Sequence, residues 1–200
     1  IGSKTTSLVI VEGDKIYNRS IPVAGNTITK DIASEFGCSL EDAEQAKCES
    51  GYVALGGVVE DEDETRDRIS KVCRAVMTRL HAEISRSINF YRSQQGGSAP
   101  SRMFLTGGSA VLPQIDEFFH ETLKIDVDFL NPFGGVDFGP KVDQVALETD
   151  AFTLAESAIY CQIEQHPDLF RDFFCPLVIT DCIFNAGIIG SLVTFGLYLV

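Results

Sequence analysis

An apolar, β-branched run at residues 7–11 (SLVIV) precedes the polar turn Glu12-Gly13-Asp14 and a second strand-like run, Lys15–Ile21. Two such runs around a Gly-containing turn predict a β-hairpin. Over residues 27–36 the period changes. Ile28, Ile32, Ala33 and Phe36 share one helical face, with Asn26 opening the helix and Gly37 closing it. Ser39 is placed to cap a short charged helix from Leu40 to about Cys48, with Asp42 where a full capping box wants Glu or Gln. The longest periodic stretch is 65–95, where Ile69, Val72, Cys73, Val76, Leu80, Ile84, Ile88 and Tyr91 recur at three- and four-residue spacing. Its other face carries Arg66, Arg68, Lys71, Arg74, Arg79, Arg86 and Arg92. A basic face of this kind binds phosphate or an acidic partner, or more often is solvated or pairs with a nearby acidic segment.

Gly96 to Pro100 (GGSAP) breaks that helix. Arg102–Leu105 predicts a buried strand running into Thr106-Gly107-Gly108-Ser109. A helix follows over 112–123 with Pro113 in its first turn, then a strand over 125–129, a loop at 131–135 and a helix from 142 to about 163. The end changes character: residues 183–200 contain no charged side chain, and at 18 residues they reach the lower edge of a membrane span. The alternative is an apolar end that packs on another surface. The chain has no signal peptide or initiator Met and opens inside a strand–turn–strand, which reads as a fragment.

Charge and composition narrow the classes. The 200 residues are 44% hydrophobic and carry a net charge of −13. Without a Lys/Arg excess, nucleic acid is not an expected partner, and neither is a bare anionic membrane surface. Cys38, Cys48, Cys73, Cys161, Cys175 and Cys182 form no C-x-x-C pair. They read as reduced, mostly buried thiols, and His81, His120 and His166 as structural residues. No metal ligand set is expected. The acidic run at 60–64 (EDEDE) reads as a solvated loop or as the start of the next helix, where negative charge suits the helix dipole.

Three short segments could carry chemistry. Ile1-Gly2-Ser3-Lys4-Thr5 is a glycine and hydroxyl turn ahead of a strand, able to offer N–H groups and hydroxyls to phosphate oxygens. Glu44 and Lys47 lie three apart on one helix face. A carboxylate there can accept from ribose hydroxyls while the lysine stem packs on a base, although such pairs are usually plain surface ion pairs. Gly107, Gly108 and Ser109 stand between a strand and a helix, where glycines let a ligand approach the backbone. Taken alone, the first and third segments also fit ordinary tight turns.

In this order, the three segments resemble the second domain of the actin superfamily, which includes the heat-shock chaperones and FtsA. Residues 21–47 (IPVAGNTITKDIASEFGCSLEDAEQAK) and 80–113 (LHAEISRSINFYRSQQGGSAPSRMFLTGGSAVLP) are more narrowly similar to the PilM family of type IV pilus assembly proteins, above all over 83–97. The resemblance covers about residues 1–155. It implies an α/β, actin-like (ribonuclease H-like) ATPase domain II with a smaller α/β insertion. Residues 1–24 and 97–160 would form subdomain IIA, 25–95 the inserted subdomain IIB with its long return helix, and 161–200 a divergent tail.

The resemblance further implies ATP with Mg2+ in an actin-type cleft. Gly2, Ser3, Lys4 and Thr5 would take phosphate, Glu44 and Lys47 ribose and base, and Gly107, Gly108 and Ser109 the adenosine end. It implies a cytoplasmic protein, peripheral to the inner membrane, that docks the tail of a PilN-like membrane protein and meets other pilus assembly proteins. If residues 183–200 cross the membrane they would add an anchor. No residue reads as a catalytic base, so at most a slow ATPase is expected. An apolar cleft face left uncovered predicts homo-dimerisation or poor solubility. The family's first domain, and the Asp before its Ile-Gly, lie outside the chain. Two other readings are a remnant that has lost nucleotide and a sugar or acid kinase of the same superfamily.

Overall fold

A computed structural model describes residues 1–56 and 63–130 of the chain. The predicted loop at 131–135, the helix at 142–163 and the apolar stretch at 183–200 lie outside the described residues, as do positions 60–62 of the acidic run.

Strands β1 (Thr6–Glu12) and β2 (Lys15–Ile21) form the expected antiparallel hairpin, with Thr6 opposite Ile21 and Glu12 opposite Lys15. That register leaves Gly13 and Asp14 as the turn. Gly13 has φ +57°, a left-handed conformation that glycine adopts without a Cβ clash. The Thr6 hydroxyl donates to the Val23 carbonyl at 2.7 Å and ties the hairpin's start to its exit.

Helix α1 (Gly25–Phe36) begins two residues before the predicted 27–36 segment. The reason is distant in sequence. The first N–H groups of a helix have no partner within it. Here Gly25 N–H donates to Gly2 O at 3.0 Å and Asn26 N–H to Ser3 O at 2.7 Å. Gly37 closes the helix in the left-handed region at φ 64°. Helix α2 (Leu40–Ser50) is capped by Ser39, whose Oγ accepts from Asp42 N–H at 3.1 Å and donates to the Asp42 carboxylate at 2.7 Å. The Asp42 carboxylate thus bonds the capping hydroxyl itself, where the Glu of a capping box would reach the backbone N–H of the cap.

Helix α3 (Glu64–Gln94) runs for 31 residues, about 46 Å at the α-helical rise. Asp63, in the acidic run, caps it by accepting from the N–H groups of Thr65 and Arg66. The predicted stripe is the buried one: Ile69, Cys73, Val76, Leu80, Ile84 and Tyr91 are all buried, joined by Met77. All of these but Tyr91 pack with Ile28 and Ile32 of α1 in one apolar core. Burying a side chain such as Leu80 completely is favourable by about 1.5–3 kcal/mol. Much of the basic face is paired. Arg68 meets Glu35 at 2.7 Å, Arg79 meets Asp31, and Lys71 meets Asp67 at 2.6 Å. Arg66 lies over the Tyr52 ring. Two of these ion pairs pin α1 along α3.

Strands β3 (Arg102–Leu105) and β4 (Asp126–Phe129) pair in parallel, connected through helix α4 (Ile115–Leu123). Between β3 and α4 a single 3₁₀ turn covers Gly108–Val111. The helix predicted from Leu112 therefore starts at Ile115. Leu112 precedes Pro113, which disfavours the helical conformation, and its ψ is 126°. Gln114 is left-handed at φ 66°, and the Pro113 carbonyl accepts from Val53 N–H at 2.9 Å rather than from the helix. The mostly buried reading of the cysteines needs correction among the described residues: Cys73 is buried, but Cys38 and Cys48 are exposed. Both lie on or beside the short, polar α2, which has little apolar face to bury. No helix among the described residues is long and apolar enough to cross a membrane.

Candidate functional site

Two of the three predicted segments touch. Ser109 N–H donates to Ile1 O at 3.1 Å, and the Ser109 hydroxyl donates to Gly2 O at 3.0 Å. The Ile1 nitrogen in turn donates to the Thr106 carbonyl. The Gly2–Thr5 turn is closed on itself by Gly2 N–H donating to Thr5 O at 3.1 Å. Ser3, Lys4 and Thr5 are exposed at its rim, so two hydroxyls and one ammonium face outward. That donor set suits an anion.

The second turn depends on its glycines for different reasons. Gly107 sits at φ 95°, ψ 156°, which a side chain would make costly. Gly108 is not in the left-handed region, and a Cβ built there would meet nothing within 4 Å. The space over Gly108 is therefore open next to Ser109.

Glu44 and Lys47 are bonded to each other at 2.7 Å. This is not a plain surface pair, because the Lys47 side chain is only 11% exposed while that of Glu44 is 49% exposed. A buried ammonium needs partners, and Lys47 finds a second one in the Thr29 hydroxyl of α1 at 3.1 Å. Thr29 Oγ1 is also within bonding distance of the Glu44 carboxylate and lies 3.2 Å from the Gly25 carbonyl. Burial pushes the Glu44 carboxyl up. The hydrogen bonds from Lys47 and Thr29, with the Lys47 charge, outweigh that and leave it below the usual glutamate value. Near the same ammonium, burial pushes the Cys73 thiol up to about 11 although the Lys47 charge acts in the opposite direction. Cys73 is thus held as a neutral thiol. Cys48 Sγ lies 3.9 Å from Glu44 Oε1 at the exposed side of the pair.

The predicted Glu44–Lys47 pair is connected to the two turns through α1. Gly25 is the joint. Its N–H is held by Gly2 O, and a Cβ there would lie 2.3 Å from Ser109 Oγ. Gly25 and Thr29 were not among the predicted site residues. A signal for Thr29 was present: it is one helical turn from Gly25, beside Ile28 and Ile32, where a hydroxyl stands out on an apolar face.

Comparisons with known proteins bear on the family and the fold. The family model described as "Type IV pilus assembly protein PilM" matches residues 1–158. Cell division protein FtsA of Agrobacterium fabrum is 31% identical over 147 residues, covering 66% of this chain and 33% of the relative. FtsA of Bacillus subtilis is 26% identical over 144 residues, covering 66% and 32%. Among solved structures, the PilM–PilN type IV pilus biogenesis complex aligns with a TM-score of 0.62 at 28% identity, over 76% of this chain and 40% of the matched chain. The chain thus spans about a third of the length of the FtsA relatives.

Proposed function

The chain belongs to the type IV pilus assembly protein PilM family and has its α/β, actin-like fold, and from that premise we propose that it supplies one wall of an ATP-binding cleft. The carrying observation is the convergence of three segments on the N-terminus of α1: Ser109 and Gly25 both donate to Gly2 O, and Thr29 joins Gly25 to Lys47.

In this reading Ser3, Lys4, Thr5 and the backbone of Gly2 hold phosphate oxygens. The open surface at Gly107, Gly108 and Ser109 receives the adenosine end, and Glu44 accepts from ribose. Lys47, mostly buried and already bonded, contributes its stem and its charge from beneath rather than an outward-pointing ammonium. The residues suit the ligand because anion donors lie at one turn and open space at the other. Mg2+ travels with the phosphates: among the described residues no group of three or more His, Cys, Asp or Glu side chains is placed to hold a metal ion. No residue here reads as a general base, so the nucleotide acts as a conformational switch with at most slow hydrolysis.

The division into 1–24 with 97–160, an insertion at 25–95 and a tail at 161–200 belongs to the same proposal. So does coupling to a PilN-type partner, a property named for the matched complex. Peripheral attachment at the inner membrane follows from that role, and self-association from an apolar cleft face left uncovered.

Chemical labelling tests the cleft on the full-length protein. Cys48 and Cys38 are both exposed, and Cys48 lies beside Glu44. Mg2+-ATP is expected to slow maleimide labelling of Cys48 and leave Cys38 unchanged, read by peptide mass mapping. Equal labelling of Cys48 with and without saturating ATP contradicts the assignment.

A further inference from the structure

Thr29 is the most informative polar residue outside the predicted segments. It is buried, and its hydroxyl accepts from Lys47 Nζ at 3.1 Å while its single proton is shared between the Glu44 carboxylate and the Gly25 carbonyl. Gly25 N–H is bonded to Gly2 O, which also accepts from Ser109 Oγ. A carbonyl oxygen has two lone pairs, and here both are used. The result is a continuous series, Lys47–Thr29–Gly25–Gly2–Ser109, that runs through the first turn of α1.

The helix would not need Thr29 for its own sake. Thr is a mediocre helix former, and its hydroxyl could be satisfied by the Gly25 carbonyl alone. Its position instead fixes where α2 stands relative to α1. Lys47 and Glu44 are both on α2, and both are bonded across to α1 through Thr29.

We propose that Thr29 is a positioning residue that sets the Glu44–Lys47 pair in register with the Gly2 and Ser109 turns, so that ribose and phosphates are met at the same time. This rests on the nucleotide-cleft reading above. Thr29 does not touch the ligand. It acts through Lys47 and Glu44, so its loss falls on ligands that carry a nucleoside and spares those that are phosphate alone.

The test uses the full-length protein with Thr29→Val, which keeps the β-branched shape, and Thr29→Ser, which keeps the hydroxyl. Calorimetric titrations with Mg2+-ATP and Mg2+-triphosphate are paired with 15N NMR of the Lys47 ammonium in free protein. Losing the charge-assisted hydrogen bonds to Lys47 and Glu44 is expected to weaken ATP by roughly tenfold in Thr29→Val. Triphosphate binding is expected to be unchanged, and Thr29→Ser to restore ATP affinity to near the parent value. The Lys47 ammonium protons are expected to exchange faster in Thr29→Val and not in Thr29→Ser. Unchanged ATP affinity in Thr29→Val, or equal loss of ATP and triphosphate, overturns the proposal. If the parent protein binds neither ligand, the cleft reading fails, and the Lys47 exchange rates still decide: unchanged exchange in Thr29→Val shows that Thr29 does not hold the pair.

Discussion

The Ser109 hydroxyl donates at 3.0 Å to the carbonyl oxygen of Gly2, 107 positions away in sequence. The same oxygen accepts the N–H of Gly25, so one carbonyl joins the glycine-rich turn after β3, the turn before β1 and the first turn of α1. The site is built by backbone groups meeting at that atom more than by any single side chain.

Gly25→Ala separates those groups. Its Cβ would lie 2.3 Å from Ser109 Oγ and 3.4 Å from Gly2 O, so the serine must rotate away and lose its bond. Gly25 is helical, and Ala is the better helix former, which offsets part of the cost. The expected outcome is a melting temperature within a few degrees of the parent, by the roughly 1 kcal/mol scale of one hydrogen bond. ATP affinity is expected to fall several-fold. Thermal melts with a nucleotide titration check both.

Gly97 marks a second tight contact. A Cβ there would lie 1.9 Å from Cε1 of Tyr91, a buried ring whose hydroxyl is fixed to Glu12 at 2.8 Å. The ring has little room to yield. Gly97→Ala is expected to destabilise by about 1–3 kcal/mol, as overpacking does. Urea denaturation with an unchanged m-value is the check. Because Gly97 is remote from the Gly2–Ser109 contact, nucleotide affinity in dilute denaturant-free buffer is expected to be unaffected.

Glu12 gives the fold a pH dependence with a definite sign. Its carboxylate accepts from the Ser98 hydroxyl and N–H and from the Tyr91 hydroxyl, which hold its pKa below the ordinary 4.5. A lowered carboxyl contributes stability that is present above that ordinary value and is lost as pH falls through the folded one. The same bond raises the Tyr91 hydroxyl, whose contribution is present below its ordinary pKa of 10 and lost only in alkali. Glu12→Gln is therefore expected to flatten the acid limb of stability below about pH 4.5 and leave the shape at pH 6–8 unchanged. Melting curves from pH 3 to 8 test this; an acid limb as steep as the parent's contradicts it.

Much of this fold was legible because its signals are local. The three- and four-residue spacing from Ile69 to Tyr91 is read in the sequence as it is buried in the structure, and Gly13 and Gly37 mark turns that require their backbone angles. The misplaced boundaries have non-local causes. Helix α1 starts at Gly25 because Gly2 and Ser3 supply its first acceptors, and α4 starts late because the carbonyl of Pro113 is bonded to Val53. The exposure of Cys38 and Cys48 went against a general preference for burial, since α2 is too polar to shelter them. In the site, the segments themselves were readable. Their connection through Gly25 and Thr29 was not, because it depends on two helices crossing.

The central claim, that the Gly107-Gly108-Ser109 turn faces a nucleotide, is tested most directly by calorimetric titration of Mg2+-ATP into the full-length protein and its Gly108→Asp variant. A Cβ at Gly108 has no neighbour within 4 Å, and the residue's φ suits any amino acid, so the variant is expected to fold like the parent. An aspartate there fills the open space that receives the adenosine end. The account predicts measurable binding to the parent and none to Gly108→Asp at matched melting temperature. Equal binding by both proteins, or no binding by the parent, would contradict it.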